Sequence, residues 1–511
     1  MDAPGIMSVV PILVTLCVAV WTRNVIIGLF TGVFAAILIL RGLDPITGVH
    51  GLIKDYFMVQ ILNPSNAGTL ILMTLIGGLV ALMERSGGAA AFAAKITRVL
   101  VTRTQGQVAT WMSGLAVFFT DTGSPLIVGP IFQSVADKLR FSRQKLAYIL
   151  DSTASPISVL IPVIGWGVYS MSLIQSAYAE LGIATSEWTA LLSAIPFQYY
   201  AILSLLFVPM IAATGFEFGP MAKAESEARA GRASETAEHA VSSQAQELIG
   251  GFVDSAARPI LIWLPLLVMV GLLCWQLVPL GFPLSQLPGG AFRTGLSTAY
   301  FFSAITLIAL MVGTGVKNMK DSMEIYLGGM SRMFSIMVIL VLAWSLGAIG
   351  RDLGTAQYIT ALADGAFAAG YVPVIAFVVG AIISFATGSS WGTYAIMMPL
   401  MLTMADGLGA PMSVTIAGVL SGGLFGDHCS PISDTTILSS VGANCEQLDH
   451  VTTQLPYAMF NGAVSIVAFL MAGFTENMLV LLIAIALQIV SLVVLIKWRG
   501  VKLEAYRLSE A

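Results

Sequence analysis

Charge is scarce in this chain. Asp, Glu, Lys and Arg make up 10% of its 511 residues, where soluble globular proteins carry about 25%. With 57% hydrophobic residues and a mean hydropathy of +0.87, a soluble globular fold is excluded. Basic blocks are missing and arginine is thinly spread, so nucleic acid is not a partner. The four cysteines, Cys17, Cys274, Cys429 and Cys445, are scattered and give no disulfide framework. Nor do His428, Cys429, Cys445 and His450 show a compact metal-ligand spacing; Cys445 and His450 are expected past the end of their helix. No strand–glycine-loop–helix unit and no ordered nucleophile–base set occurs, so neither an enzyme nor an organic cofactor is expected.

What the chain has instead is long apolar runs, such as "VIIGLFTGVFAAILIL" (25–40) and "MLVLLIAIALQIVSLVVLI" (478–496). About 20 helical residues cross a hydrocarbon core of roughly 30 Å. Runs at about 7–22, 25–40, 68–84, 145–173, 190–213, 257–280, 295–315, 331–349, 411–441, 455–474 and 477–497 predict about eleven transmembrane helices in an all-α polytopic membrane protein. Two further stretches, 107–136 and 372–405, are interrupted by "DTGSP" and "ATGSSWG". A Gly/Ser/Pro break in such a run suggests a re-entrant hairpin, tolerated where protein or a wet cavity covers the backbone.

Basic residues flank both ends of the first hairpin, Arg103 on one side and Lys138, Arg140, Arg143 and Lys145 on the other. By the positive-inside rule both ends are then cytoplasmic. This places the N-terminus outside, the C-terminus inside, and Arg293 and Arg351 on the outer side against the trend. The segment 214–256 reads as a solvated cytoplasmic linker. It follows scaffold helices (1–64) and a first repeat (65–213). It precedes more scaffold helices (257–330), a second repeat (331–475), and a last helix with its tail (476–511).

The repeats announce themselves by an echo. "DSTASPIS" (151–158) and "DHCSPIS" (427–433) share Asp, a short polar step and Ser-Pro-Ile-Ser, each midway along an apolar run. Upstream of each lies "TGS", at 122–124 and 387–389. Shared order with an odd number of crossings between is the pattern of an inverted-topology repeat, whose interrupted helices point to the binding site. Proline removes a backbone donor and opens a helix, exposing carbonyls, hydroxyls and dipole ends. An ionisable group inside a span is a functional-site hypothesis by default.

Plainer readings compete. Pro156 and Pro431 could be simple kinks, Asp151 could sit at a helix mouth beside the basic cluster, and single hydroxyls often bond their own backbone. Asp137 fits better as an interfacial partner of Lys138 or Arg140. Gly422, Gly423 and Gly426 suit close helix packing, and Trp166 and Trp391 suit packing more than substrate stacking.

The stretches "LIVGPIFQSVADKLRFSRQKLAYILDSTASPIS" and "GDHCSPISDTTILSSVGANCEQLDHVTTQLPYA" resemble the two signature regions of the NhaC-type sodium/proton antiporter family, across roughly 65–475. That resemblance implies two inverted repeats with broken helices, scaffold and transport parts, a homodimer and an elevator-like motion. One departure stands out: where the family typically shows Asp-Asp-Tyr-x-Asn, this chain has "TDTGSP" (120–125), so Thr120 replaces the first acid and Ser124 the Asn.

The expectation is a sodium/proton antiporter of the inner membrane. Asp427, Ser430, Asp434 and Thr435 would bind sodium or a proton at the second break, and Asp151, Ser155 and Asp121 at the first. Thr122, Gly123 and Ser124, with Thr387, Gly388 and Ser389, would form tips that cover the site. His428, Pro156 and Pro431 would complete its solute-facing side. Sodium and protons are the expected partners, in a lipid bilayer. A sodium-coupled transporter or exchanger of an organic acid or amine is the rival reading, with an ion channel as a remote one.

Overall fold

The computed structural model describes residues 5–97, 100–231, 257–282, 289–363 and 368–502. Among these the chain is helical almost throughout; one antiparallel pair of two-residue strands joins Phe216–Glu217 to Val501–Lys502. Residues 232–256 of the expected linker and 503–511 of the tail lie outside the described residues.

Seven described helices are long and apolar enough to cross a membrane, or nine if each of two bent pairs counts as one span. The protein is a polytopic all-α membrane protein. The number falls below eleven for local reasons: the run expected at 7–22 is a helix of only 13 residues, Val10–Thr22, one of the helices counted, Ala369–Thr387, is a leg of the second expected hairpin, and two runs are cut. The run expected at 411–441 is cut into Met412–Cys429 and Asp434–Ala443, and that at 145–173 into Arg143–Ser152, Ser155–Ser158 and Gly165–Leu181. Proline stands at the second position of Ser155–Ser158, where its missing N–H is harmless. Both breaks thus fall at the shared Ser-Pro-Ile-Ser.

The two interrupted stretches form helical hairpins. Hairpin 1 has legs Arg103–Ala116 and Gly123–Leu139; hairpin 2 has legs Val372–Thr387 and Ser390–Leu408. A capping box between Thr102 and Gln105 starts the first leg. Ser142 caps Arg143–Ser152 by accepting from the Lys145 N–H at 3.0 Å. At the tip of hairpin 2, Gly388 adopts φ +64°, and a Cβ there would lie 2.7 Å from the Ile432 carbonyl oxygen. Only glycine satisfies both demands.

Small residues let these pieces interlock. Gly422 and Gly426 bring Met412–Cys429 onto the backbone of Val372–Thr387 at Phe377 and Ala381. Gly129 of hairpin 1 crosses Gly442 of the second broken span, where Gln133 Nε2 donates to the Gly442 carbonyl at 2.8 Å. Hairpin 1 therefore packs on the second break's short leg, and hairpin 2 along its long one.

Residues 216–229 are docked, where composition had suggested solvated linker. Glu217, Met221 and Glu225 are buried. Lys145 Nζ meets Glu217 at 3.0 Å, Tyr457 donates to the same carboxylate, and Arg103 pairs with Glu225. Arg293, out of place by charge counting, is buried and salt-bridged to Glu187 at 2.6 Å, with further bonds to Gln175 and Ser65. A buried charge held this way does not violate the charge rule.

Candidate functional site

The two helix breaks meet. Asp151, at the end of the first short leg, is fully buried. Its Oδ2 accepts from Thr436 Oγ1 of the second broken span at 3.1 Å and from Gln454 Nε2 at 2.7 Å. The same Gln454 amide donates to the His428 carbonyl at 2.5 Å. His450 Nε2 stands 3.4 Å and His428 Nε2 3.9 Å from the carboxylate. His428 is fixed by Tyr200 OH at its Nδ1, 2.8 Å away, and lies 3.4 Å from Ser152 Oγ. His428 thus faces the first break.

Asp427, also buried, sits on the last turn of Met412–Cys429 beside Ser390, Ser433 and the charges of Asp151 and Asp434. Ser430 donates to the Phe385 carbonyl of hairpin 2 at 2.9 Å, and Thr435 lies 3.2 Å from Ser433. Asp434 is exposed at the start of the next leg, where a carboxylate suits the amide end of the helix. Around the breaks, several buried oxygens have no hydrogen-bond partner: Ser155 Oγ, Asp151 Oδ1, Ser384 Oγ, Ser439 Oγ and Gln454 Oε1. Unpaired oxygens at a carboxylate-rich break are donors suited to a small hard cation.

The hairpin tips are placed differently. Asp121 accepts from Trp166 Nε1 at 3.0 Å and from the Thr122 N–H at 2.9 Å, and no hydrogen bond or ion pair joins it to Asp151 or Asp427 among the described residues. Trp166 in turn packs on Trp391, ring centroids 4.7 Å apart, just beyond the tip of hairpin 2. The indoles are a bridge between tips. Thr120, the departure from the acid, donates to buried Glu84 at 2.8 Å and accepts from the Gly123 N–H at 2.9 Å. Glu84 also receives Arg332 at 2.9 Å. Ser124 Oγ is buried without a partner, Ser389 caps Ser390–Leu408, and Thr387 bonds back to Ile383. Pro156 starts its short helix; the Pro431 carbonyl accepts from Gln447.

Residues 157–474 match the model of the Na+/H+ antiporter family. The chain belongs to that family. A Haemophilus influenzae protein described as uncharacterized is 30% identical over 514 residues, covering 97% of this chain and 96% of its own. The Bacillus subtilis malate-2H(+)/Na(+)-lactate antiporter is 35% identical over 97 residues, 19% of this chain and 21% of that relative. Against that second relative, then, the match spans about a fifth of its length. Among solved structures, that of Neisseria gonorrhoeae MtrF, described with a class of antimetabolite efflux pumps, shares the fold: TM-score 0.57, 16% identity, 84% of this chain and 85% of that one.

As an antiporter family member the chain is a secondary transporter and not an enzyme, and the family implies sodium as a transported ion. Three residues at the breaks escaped the sequence reading, Gln454, Thr436 and Tyr200, and His450 was weighed there only as a metal ligand. His450 does lie past the end of Asp434–Ala443, as expected, but on the first turns of the next helix, Gln447–Thr475, where it is fully buried and faces Asp151. A signal existed. His450, Gln454, Tyr457 and Asn461 recur every three or four residues, a polar stripe on one face of an otherwise apolar helix. Glu84 was also missed, although an acid within an apolar run is conspicuous by type.

Proposed function

We infer that this chain exchanges sodium for protons, and that the ions bind where the two helix breaks meet. The observation carrying the reading is the bond between Thr436 of the second broken span and Asp151 of the first, with Asp427 beside them. Two acids from two matching motifs converge on one buried place with unpaired oxygens around it. Asp427, Ser430 and Thr435 form one side of the site, Asp151 and Ser155 the other, and Asp434 its exposed mouth. Proton and sodium then compete for the carboxylates, which couples the two fluxes. The hairpin tips at 122–124 and 387–389, joined through Asp121, Trp166 and Trp391, close over the breaks from either side. The two halves act as inverted repeats in an alternating-access cycle of elevator type, in a dimer of the inner membrane with its N-terminus outside and C-terminus inside.

The test is flux in liposomes holding a pH-sensitive dye, driven by a sodium gradient with no organic solute present. A pH change with sodium, absent with potassium and lost in Asp427→Asn that still elutes as folded protein, supports the assignment. Full flux in Asp427→Asn would remove the site from the breaks.

A second reading has its own support. Thr120 stands where the family pattern has an acid, and one relative's name couples sodium and protons to organic acids. Vesicles that stay silent until an organic acid or amine is added would favour this sodium-coupled solute exchanger.

A further inference from the structure

His450 is a buried titratable group that the ion site leaves unused. Its side chain is fully enclosed, and its two ring nitrogens meet different surroundings. Nε2 faces the Asp151 carboxylate at 3.4 Å, slightly long for a hydrogen bond. Nδ1, separated from it by one ring carbon, has no hydrogen-bond partner. A buried polar nitrogen left so costs stability, and an imidazole kept in that state points to a role beyond packing.

Asp151 is itself sealed from solvent. A proton that trades places with sodium on its carboxylate therefore needs a carrier to and from water. Among the described residues, two histidines bring a ring nitrogen within 4.0 Å of Oδ2, His450 at 3.4 Å and His428 at 3.9 Å. His428 is tied at Nδ1 to Tyr200 OH, and Ser152 Oγ stands by its Nε2. Both of those partners are buried, so the far side of His428 leads inward. His450 leads outward. It closes the first turn of Gln447–Thr475, beside exposed Asp449, and its N–H donates at 3.0 Å to the carbonyl of exposed Glu446. Asp449 accepts from Gln144 at 3.3 Å, next to Arg143, which donates to the Ala443 carbonyl at 3.0 Å. This is the end of the bundle with the basic cluster, which the charge pattern assigns to the cytoplasm.

The titratable groups facing His450 are Asp151, from Arg143–Ser152, and His428, from Met412–Cys429. The Cys445 thiol lies against its backbone, Glu446 and Asp449 flank it in sequence, and the Lys145–Glu217 pair meets the same helix two turns along, at Tyr457. We propose that His450 relays protons between Asp151 and the cytoplasmic mouth at Glu446 and Asp449, a role that rests on the reading of Asp151 as part of the ion site. As sodium displaces the Asp151 proton, Nε2 accepts it, the ring becomes imidazolium, and Nδ1 releases a proton to water at the mouth. The reverse sequence reprotonates Asp151 as sodium leaves. The ring is neutral before and after, and Asp151 exchanges its proton without being opened to solvent.

Two fluxes of the full chain in liposomes separate a relay from a structural role. Sodium-for-sodium exchange, read as radiolabelled sodium replacing unlabelled sodium across the membrane, moves no net proton; the sodium-driven pH change does. His450→Gln should slow the pH change at least about tenfold and leave sodium-for-sodium exchange and its sodium dependence as they are. Should His450→Gln not elute as folded protein, His450→Asn, smaller and equally neutral, takes its place in both assays. An unaltered pH change in the folded variant would overturn the relay. So would loss of both fluxes together, which marks a residue that holds the site's shape or its sodium. Asp427→Asn tests the site itself and should lose both fluxes. If the unaltered protein shows neither flux, or Asp427→Asn keeps both, it is the ion site that fails, and the relay falls with it.

Discussion

Gln454 joins both breaks with one amide nitrogen, donating to Asp151 and to the His428 carbonyl. Replacing it with leucine keeps the bulk and removes the donor. A buried acceptor left without a partner costs about 1–3 kcal/mol. Gln454→Leu should therefore destabilise the protein by about 1–3 kcal/mol, read as a lower denaturation midpoint in detergent, and reduce sodium-driven flux; an unchanged midpoint would show that the amide is not what holds the breaks together. At this scale the sequence was informative where a motif concentrated polar residues. Asp151 and His428 stood out for that reason. Gln454 and Tyr200 did not, because their partners lie far away in sequence; the polar stripe that includes Gln454 marks a face of its helix but not what that face meets. Glu84 hid in the same way, its role defined by Thr120 and Arg332 from other elements.

Helices and hairpins depend on where backbones touch. Where hairpin 1 crosses the second broken span, a Cβ on Gly129 would lie 2.8 Å from the Gly442 Cα and closer to its carbonyl. Backbone cannot yield as a flexible side chain does. Gly129→Val should cost at least the roughly 1–3 kcal/mol typical of overpacking, visible as a lower thermal midpoint and lost flux. Gly271→Val, with nothing within 4 Å of its added Cβ, should change neither. Breaks and hairpins were legible because Gly, Ser and Pro punctuate apolar runs. The number of complete spans was not. Hydropathy sees a run such as 411–441 as continuous, while the chain divides it at Ser430–Ser433.

Across the whole molecule, the segment after Tyr199–Thr214 fastens three parts together. Lys145, Arg103 and Tyr457 come from the first broken span, hairpin 1 and the long helix Gln447–Thr475, and all reach acids at 217 and 225. Removing one partner of a buried pair costs about 3–5 kcal/mol, because the other charge stays buried alone. Lys145→Met should destabilise by that much, and Lys145→Met with Glu217→Gln should recover part of it. A double variant no better than the single one would mean the pair's charge is not what matters. Composition could not reveal this docking. An Ala- and Glu-rich helix reads alike whether water or protein lies over it, and only the distant lysine and arginine decide.

The short strand pair has a consequence for how the protein is made. Phe216–Glu217 is synthesised before the second half of the chain, yet its partner Val501–Lys502 emerges only after the helix Val480–Arg499. Until then its backbone groups form an open edge, able to pair with any other strand. The final helix therefore carries the piece that closes an edge left open since mid-translation, and a chain that stalls before it would present that edge to the cell's quality-control machinery.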